Sequence, residues 1–246
     1  MNWPNDYINK IIKGDCLEVM KYIPAGSIDF TVSSPPYNVG IDYGDFNDEK
    51  QWKEYRNLME DILVELFRIT RNGGRVCWNI PSFSSRQNLY FVFQEIFRKA
   101  GFSQYAEIIW NKGQISSRTA WGSFASASEP NILPSHEYIL VFYKGEKNHG
   151  VGENTISKEN FIKWTDGMWS FTPETNSTHP APFPIGLPQR CIEMFSYKGE
   201  IVFDPFIGSG TTALAAKKTG RKYIGIELSE KYVKIANERL AQEYLL

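Results

Sequence analysis

Two consecutive prolines, Pro35-Pro36, end the run of β-formers Ile28-Asp29-Phe30-Thr31-Val32 and limit what the surrounding chain can become. Neither supplies a backbone N–H and both fix φ, so a strand entering from Ile28 must stop pairing there. The stop delivers Ser34 and Tyr37 to the carboxyl end of that strand, the edge at which open α/β sheets bind ligands. Ser34 Oγ and the Pro35 carbonyl can both accept from an exocyclic NH₂, and the Tyr37 ring offers a stacking face, so the corner suits a flat ligand bearing an amine. By itself the corner reads equally well as a chain stop with no chemistry.

The rest of the chain alternates strand and helix signals. Ile11-Ile12 followed by Lys13-Gly14-Asp15 reads as a short strand ending in a turn, and Leu17 to Tyr22 as a brief helix closed by Pro24 and Gly26. That makes a βαβ unit with the Ser34 strand and puts Asp15 at the same sheet edge. From Gln51 to Arg71, apolar residues at Trp52, Tyr55, Met59, Ile62, Leu63 and Leu66 follow a helical period, with Asn72-Gly73-Gly74 expected as the C-terminal cap. A strand at Arg75–Ile80, a helix through Leu89 and Phe97 ended by Gly101, and strands at Tyr105–Trp110 and His136–Tyr143 follow. This order predicts a doubly wound, mostly parallel α/β sheet.

Two stretches break the pattern. The loop 111–135 carries Arg118, Trp121 and Phe124, and the segment 145–178 holds Phe161, Trp164, Met168, Trp169 and Phe171 among polar residues. Long loops inside a compact domain are usually functional, whereas aromatic side chains in them often form only a satellite core. The division expected is a catalytic and cofactor domain at 1–144 and 179–246, with 145–178 as an insert that reads the substrate.

A second cluster lies in the carboxyl-terminal part. The strand Ile201-Val202-Phe203 runs into Asp204-Pro205-Phe206-Ile207-Gly208-Ser209-Gly210-Thr211-Thr212, and a helix follows. Glycines at 208 and 210 allow close backbone approach, and the helix start presents free N–H groups. Glu227, at the tip of the next strand, Tyr223–Ile226, is placed to accept both hydroxyls of a ribose, as an adenosine-containing ligand requires. Ser229 then opens a final amphipathic helix. Gly208-x-Gly210-x-x-Ala213 also fits a loose dinucleotide fingerprint, but such an enzyme gives no reason for an amine-accepting corner in the same sheet. One site for adenosine and one for an aromatic amine suit group transfer between them.

With Gly14-Asp15-Cys16, Ser34-Pro35-Pro36-Tyr37, Trp121-Gly122-Ser123, His179 to Pro184, and Asp204 to Thr212 followed by Glu227 in this order, the chain resembles the S-adenosylmethionine-dependent DNA amino-methyltransferases of restriction-modification systems. Its catalytic motif precedes its cofactor motif, the circularly permuted order of the β class. The resemblance implies a seven-stranded Rossmann-like sheet with His136–Tyr143 as its one antiparallel strand, and with the first strand beside the last. It implies that Asp204, Gly208, Gly210 and Thr211 cradle the methionine part of S-adenosyl-L-methionine, with Pro205, Phe206, Ser209, Thr212 and Cys16 also in the cofactor site. Asp15 would take the adenine amino group and Glu227 the ribose, and His179 to Pro184, with His179, Pro180 and Phe183 among them, would line the methionine end. Many adenine-modifying relatives carry a lysine where this chain has Phe183. Ser34, Pro35, Pro36 and Tyr37 would form the catalytic corner, taking a base flipped out of duplex DNA.

In the family, Ser at the Ser34 position usually accompanies cytosine and Asp or Asn accompanies adenine, so N4 of cytosine is the expected target and N6 of adenine the alternative. Methylation of the cytosine ring carbon needs a cysteine nucleophile, which in that family follows a proline; Cys16, Cys77 and Cys191 follow Asp15, Val76 and Arg190. A methyltransferase acting on another substrate, or a DNA-binding module without catalysis, are the readings from other classes.

The net charge of -1 gives no overall pull toward nucleic acid, so DNA must be met by a local basic groove. Arg118, Trp121, Lys144, Lys147, Lys163 and Trp164 are the candidates. The partners implied are double-stranded DNA and a cognate restriction endonuclease acting on the same site, with no membrane. The three cysteines lack a Cys-x-x-Cys pair and the three histidines lack ligand spacing, so no metal is expected; with no signal peptide at Met1–Asp6, the expected location is the cytoplasm.

Overall fold

The computed structural model describes residues 2–38, 50–81, 83–84, 87–113, 122–132, 134–172 and 183–242. In chain order the elements are β1 (Lys10–Lys13), α1 (Cys16–Met20), β2 (Ile28–Ser33), α2 (Trp52–Ile69), β3 (Thr70–Pro81), the short β4 (Phe83–Ser84) and β5 (Gln87–Asn88), α3 (Leu89–Ala100), β6 (Ser103–Asn111) and β7 (His136–Tyr143). There follow α4 (Lys158–Trp164), β8 (Met168–Ser170), α5 (Gly186–Phe195), β9 (Ile201–Asp204), α6 (Thr211–Lys218), β10 (Lys222–Glu227) and α7 (Glu230–Gln242). Eight strands form one sheet in the order β1-β10-β9-β2-β3-β7-β6-β8, and only β7 runs antiparallel to its neighbours. The sheet thus has the expected doubly wound plan plus one strand. The eighth, β8, comes from the segment 145–178 and adds itself parallel to β6.

Alternation along the strands builds two cores. On β7, Leu140 and Phe142 pack against α1, α2 and α3, while Ile139 and Val141 face α5 and the Trp164–Trp169 pair. On β3, Val76, Trp78 and Ile80 join the first core and Cys77 the second. A strand buried on both faces reads as a near-continuous apolar run, as Val76–Ile80 does except at Asn79. A third small cluster seats α7 on α6 through Leu214, Val233, Ala236 and Leu240. The first strand pairs with the last in register, Ile11 opposite Gly225 and Lys13 opposite Glu227.

The glycines at 73 and 74 do not cap α2 as expected. The helix ends at Ile69, where Thr70 returns its backbone N–H and its hydroxyl to the Leu66 carbonyl. Asn72 to Gly74 instead meet the chain leaving β7: Gly73 N donates to Lys144 O at 2.8 Å and Lys144 N to Gly74 O at 3.0 Å. Gly73 has φ +74°, and a side chain there would strike the Asn148 carbonyl.

The amino ends of the parallel strands are tied by an ionic knot. Arg71 donates to Asp29 Oδ1 at 2.7 Å and to Glu200 Oε1 at 3.0 Å, and buried His149 lies 2.8 Å from both the Gly73 carbonyl and Glu200 Oε2. Burial alone would raise the Glu200 carboxyl; hydrogen bonds from His149 and the Tyr197 N–H, with the charge of Arg71, outweigh it and hold it below its ordinary 4.5. Arg71→Met strands two partly buried carboxylates and is expected to cost about 3 kcal/mol in urea unfolding at neutral pH. Because a lowered acid stabilises above its unfolded value, the gap between wild type and variant should narrow as pH falls below 4.5. A gap unchanged between neutral and acid pH would place the knot outside the stability of the fold.

Candidate active site

An open cleft lies at the carboxyl ends of β1, β10, β9 and β2. Ser34, Pro35, Pro36 and Tyr37 line one side of it, and Pro205, Phe206, Gly208, Ser209 and Thr211 line the other. Asp15, Cys16, Phe183 and Glu227 also face it. The proline corner and the glycine bend, far apart in sequence, therefore share one cavity because β2 lies beside β9 in the sheet.

Asp204, Gly210 and Thr212 stand behind this surface. The Asp204 carboxylate is buried and accepts from Ser33 Oγ at 2.6 Å, Phe206 N at 2.9 Å and Thr212 Oγ1 at 2.6 Å. It joins the tip of β2, the bend and the first turn of α6 at one point. Burial, ahead of the opposing hydrogen bonds from Ser33 and Thr212, lifts its carboxyl from 3.8 to about 6. Gly210 takes φ +85° where a side chain would meet Ala236 of α7, so the bend can lie close on that helix. Arg239 of α7 fastens the bend from outside, donating to Ser209 O at 2.7 Å and Thr211 Oγ1 at 3.2 Å.

Glu227 closes the cofactor half. Its Oε2 accepts from Gly208 N at 2.9 Å and its Oε1 from Ser229 N at 2.8 Å, which fixes the orientation of the carboxylate at the cleft. Asp15 caps α1 through Oδ1, accepting from Leu17 N at 2.8 Å. Burial, reinforced by the Asp15 charge, pushes the Cys16 thiol up to about 12, so it faces the cleft as a neutral, weakly polar wall. A carboxylate for a diol, a helix start behind a glycine bend, and the apolar side chains of Phe206, Leu228 and Tyr232 together fit an adenosine-type donor.

In the other half, the Ser34 and Tyr37 hydroxyls lie 2.6 Å apart. Tyr55 of α2 donates to the Pro36 carbonyl at 2.8 Å, and Asn38, with φ +58°, grips Lys50 at both its N–H and its carbonyl. Buried Asn79 and Glu137, with half-buried Lys112, form a polar group behind Tyr37 that sequence reading missed. The available signal was a lone polar residue, Asn79, inside a buried apolar strand.

The six residues expected at DNA fare differently. Arg118 and Trp121, like His179 and Pro180 of the cofactor set, lie outside the described residues. Lys144 and Lys147 follow β7, whose reversed direction carries them to the sheet edge away from the cleft. There the Lys144 ammonium donates to the carbonyls of Phe67 and Thr70, and Lys147 lies over the Tyr105 ring. Trp164 is buried beneath Arg190, which leaves Lys163 exposed on α4.

Comparison with known proteins agrees with this geometry. The N6_N4_Mtase family model, described as DNA methylase, matches residues 28–238. The type II methyltransferase M.MjaVI of Methanocaldococcus jannaschii is 41% identical over 67% of this chain and 86% of its own. M.HinfI of Haemophilus influenzae is 30% identical over 97% of this chain and 70% of its own. Among solved structures, the S-adenosyl-L-methionine complex of TTHA0409 from Thermus thermophilus superposes with a TM-score of 0.75 at 28% identity, covering 95% of this chain and 93% of the other. The chain belongs to the N6/N4 DNA methyltransferases, a family that uses S-adenosylmethionine as its cofactor.

A raised acid stabilises fully below its unfolded value and loses that contribution as pH rises through its folded one. Asp204→Asn removes this loss while its amide can keep the hydrogen bonds. Urea unfolding at pH values of about 4 and 8 should therefore show the stability difference moving in favour of the variant by on the order of 3 kcal/mol. A constant difference would mean that Asp204 titrates as an ordinary carboxyl.

Proposed function

We propose that this methyltransferase acts on N4 of a cytosine flipped out of double-stranded DNA, with the corner Ser34 to Tyr37 as the acceptor site and the bend Asp204 to Thr212, Glu227 and Asp15 as the donor site. The observation that carries this reading is the single cleft lined by both sets. S-adenosylmethionine supplies a sulfonium methyl, an electrophile in need of a nitrogen lone pair.

An exocyclic amine is a poor nucleophile because its lone pair is delocalised into the base. Hydrogen bonds from its two N–H groups to Ser34 Oγ and the Pro35 carbonyl favour a pyramidal nitrogen and strengthen as positive charge develops. The tie from Tyr55 to Pro36 and the Asn38–Lys50 clamp keep that corner in place, so little reorganisation is needed. Apolar walls from Leu58, Ile62 and Phe183 exclude water from the nitrogen. Phe183, lacking an amine, contributes shape where a lysine would contribute charge.

Residues 111–135 and 145–178 are proposed to face DNA, with exposed Lys163 toward phosphate; the second includes α4 and β8, whose Trp164 and Trp169 pack into the sheet core. A cognate endonuclease sharing the target site is the partner this reading implies. The alternative target, N6 of adenine, uses the same corner, and Ser34 in place of an Asp or Asn speaks for cytosine.

Mass spectrometry of nucleosides from treated, methylation-free bacterial DNA is expected to show N4-methylcytosine. N6-methyladenine would transfer the reading to adenine, and no methylated base in DNA would refute it. Tyr37→Ala, which removes the stacking ring together with the hydroxyl, should cut methylation by at least about 100-fold while calorimetry finds cofactor binding close to wild type. Loss of cofactor binding as well would make Tyr37 a structural residue.

A further inference from the structure

Behind the corner, polar groups form a directed chain into the protein. Ser34 Oγ lies 2.6 Å from the Tyr37 hydroxyl, and that hydroxyl donates to Glu137 Oε2 at 3.3 Å. The Asn79 amide donates both to the Tyr37 oxygen, at 3.1 Å, and to Glu137 Oε2, at 2.6 Å. With the Tyr37 hydroxyl donating to Glu137, which can only accept, the Ser34 hydroxyl is the donor of the Ser34–Tyr37 bond. The Ser34 lone pairs then face the cleft. Glu137 is 6% exposed, and its other oxygen pairs with Lys112. It occupies this place because β7 alone runs antiparallel, which brings its first residues to the edge where β2 and β3 end.

We propose that Glu137 is a positioning residue that takes up, through Tyr37 and Ser34, the proton the target amine must release on methylation. The inference rests on the reading of Ser34 as the acceptor of that amine. As the N–C bond forms, the S–C bond breaks and its electron pair stays on sulfur, leaving the nitrogen cationic. A nitrogen proton passes to Ser34 Oγ as the Ser34 proton passes to Tyr37 and the Tyr37 proton to Glu137. The sulfonium charge and the carboxylate charge cancel, and the product amine is neutral. The groups facing Glu137 are Tyr37 from the corner, Asn79 from β3 and Lys112 just beyond β6, with His136 its neighbour on β7; Lys112 is partly exposed and so connects the carboxylate to solvent, where the proton leaves between turnovers.

The test is tritium transfer from labelled cofactor to methylation-free bacterial DNA, with enzyme in excess, between about pH 6 and 9. Glu137→Gln and Tyr37→Phe should each slow transfer about 100-fold near neutrality, and each deficit should shrink as pH rises and solvent takes the proton. The double variant should be no slower than either single one, and cofactor affinity by calorimetry should stay within about two-fold of wild type. In the free enzyme, ¹³C NMR of labelled tyrosine should show the Tyr37 signal, identified by its absence in Tyr37→Phe, titrating at lower pH in Glu137→Gln because a neighbouring negative charge has gone. A Glu137→Gln enzyme with the wild-type rate, deficits that multiply in the double variant, or a deficit that ignores pH would overturn the proposal. If Glu137→Gln does not fold, the pH profile of Tyr37→Phe decides. A wild type that fails to label DNA would instead refute the proposed function.

Discussion

One buried carboxylate determines whether this molecule has a single active cleft or two unrelated corners. Asp204 holds Ser33 at the tip of β2, the Phe206 amide in the bend and Thr212 in the first turn of α6. Strands β2 and β9 share only the pairs Phe30–Val202 and Thr31–Phe203, so beyond those pairs the side-chain bonds of Asp204 keep their ends together. Without that stitch, a proline-stopped strand and a glycine bend would leave the sheet in directions set by their own local sterics. A charged or polar atom this deep is costly, and the three donors around it offset that cost while fixing direction as apolar packing cannot.

The two edges of the sheet are built for different tasks. At the amino ends of the parallel strands, Arg71, Asp29, His149 and Glu200 bond to one another, and the Lys144 ammonium is taken up by backbone carbonyls. At the carboxyl ends the polar groups line the cleft: two backbone amides fix the Glu227 carboxylate, and the Tyr37 hydroxyl fixes Ser34. The first set ties strands together; the second faces a space that a ligand can fill.

Fold class was legible because its signals are local. The period of Trp52 to Leu66, the Pro-Pro stop and the bend before Thr211 depend on nearest neighbours, and each produced the element expected. The cap at Asn72–Gly74 was misread because the same residues that end helices also make turns, and a distant partner, the chain leaving β7, chose between the two uses. Strand β8 was hidden because three residues, Met168 to Ser170, carry too little pattern to show pairing with β6. The candidate site divided along the same line. The stretches Gly14–Cys16, Ser34–Tyr37 and Asp204–Thr212 line the cleft or back it, whereas Asn79, Lys112 and Glu137 stand alone in sequence and meet only through the sheet. Lys144 and Lys147 were misplaced because composition says nothing of strand direction, and the reversal of β7 sends them to the far edge.

The pairing of β1 with β10 has a consequence for how such a chain is made. Strand β1 has a single neighbour in the sheet, β10, which is translated after every other described strand. Likewise β2 waits for β9 before its second side is covered. Loop closure on this scale is slow, so the apolar strands β1 and β2 must stay out of aggregates until β9 and β10 have been made. A nascent chain of this topology therefore depends on shielding by other means, and its two halves come to share a core only after β10 has emerged.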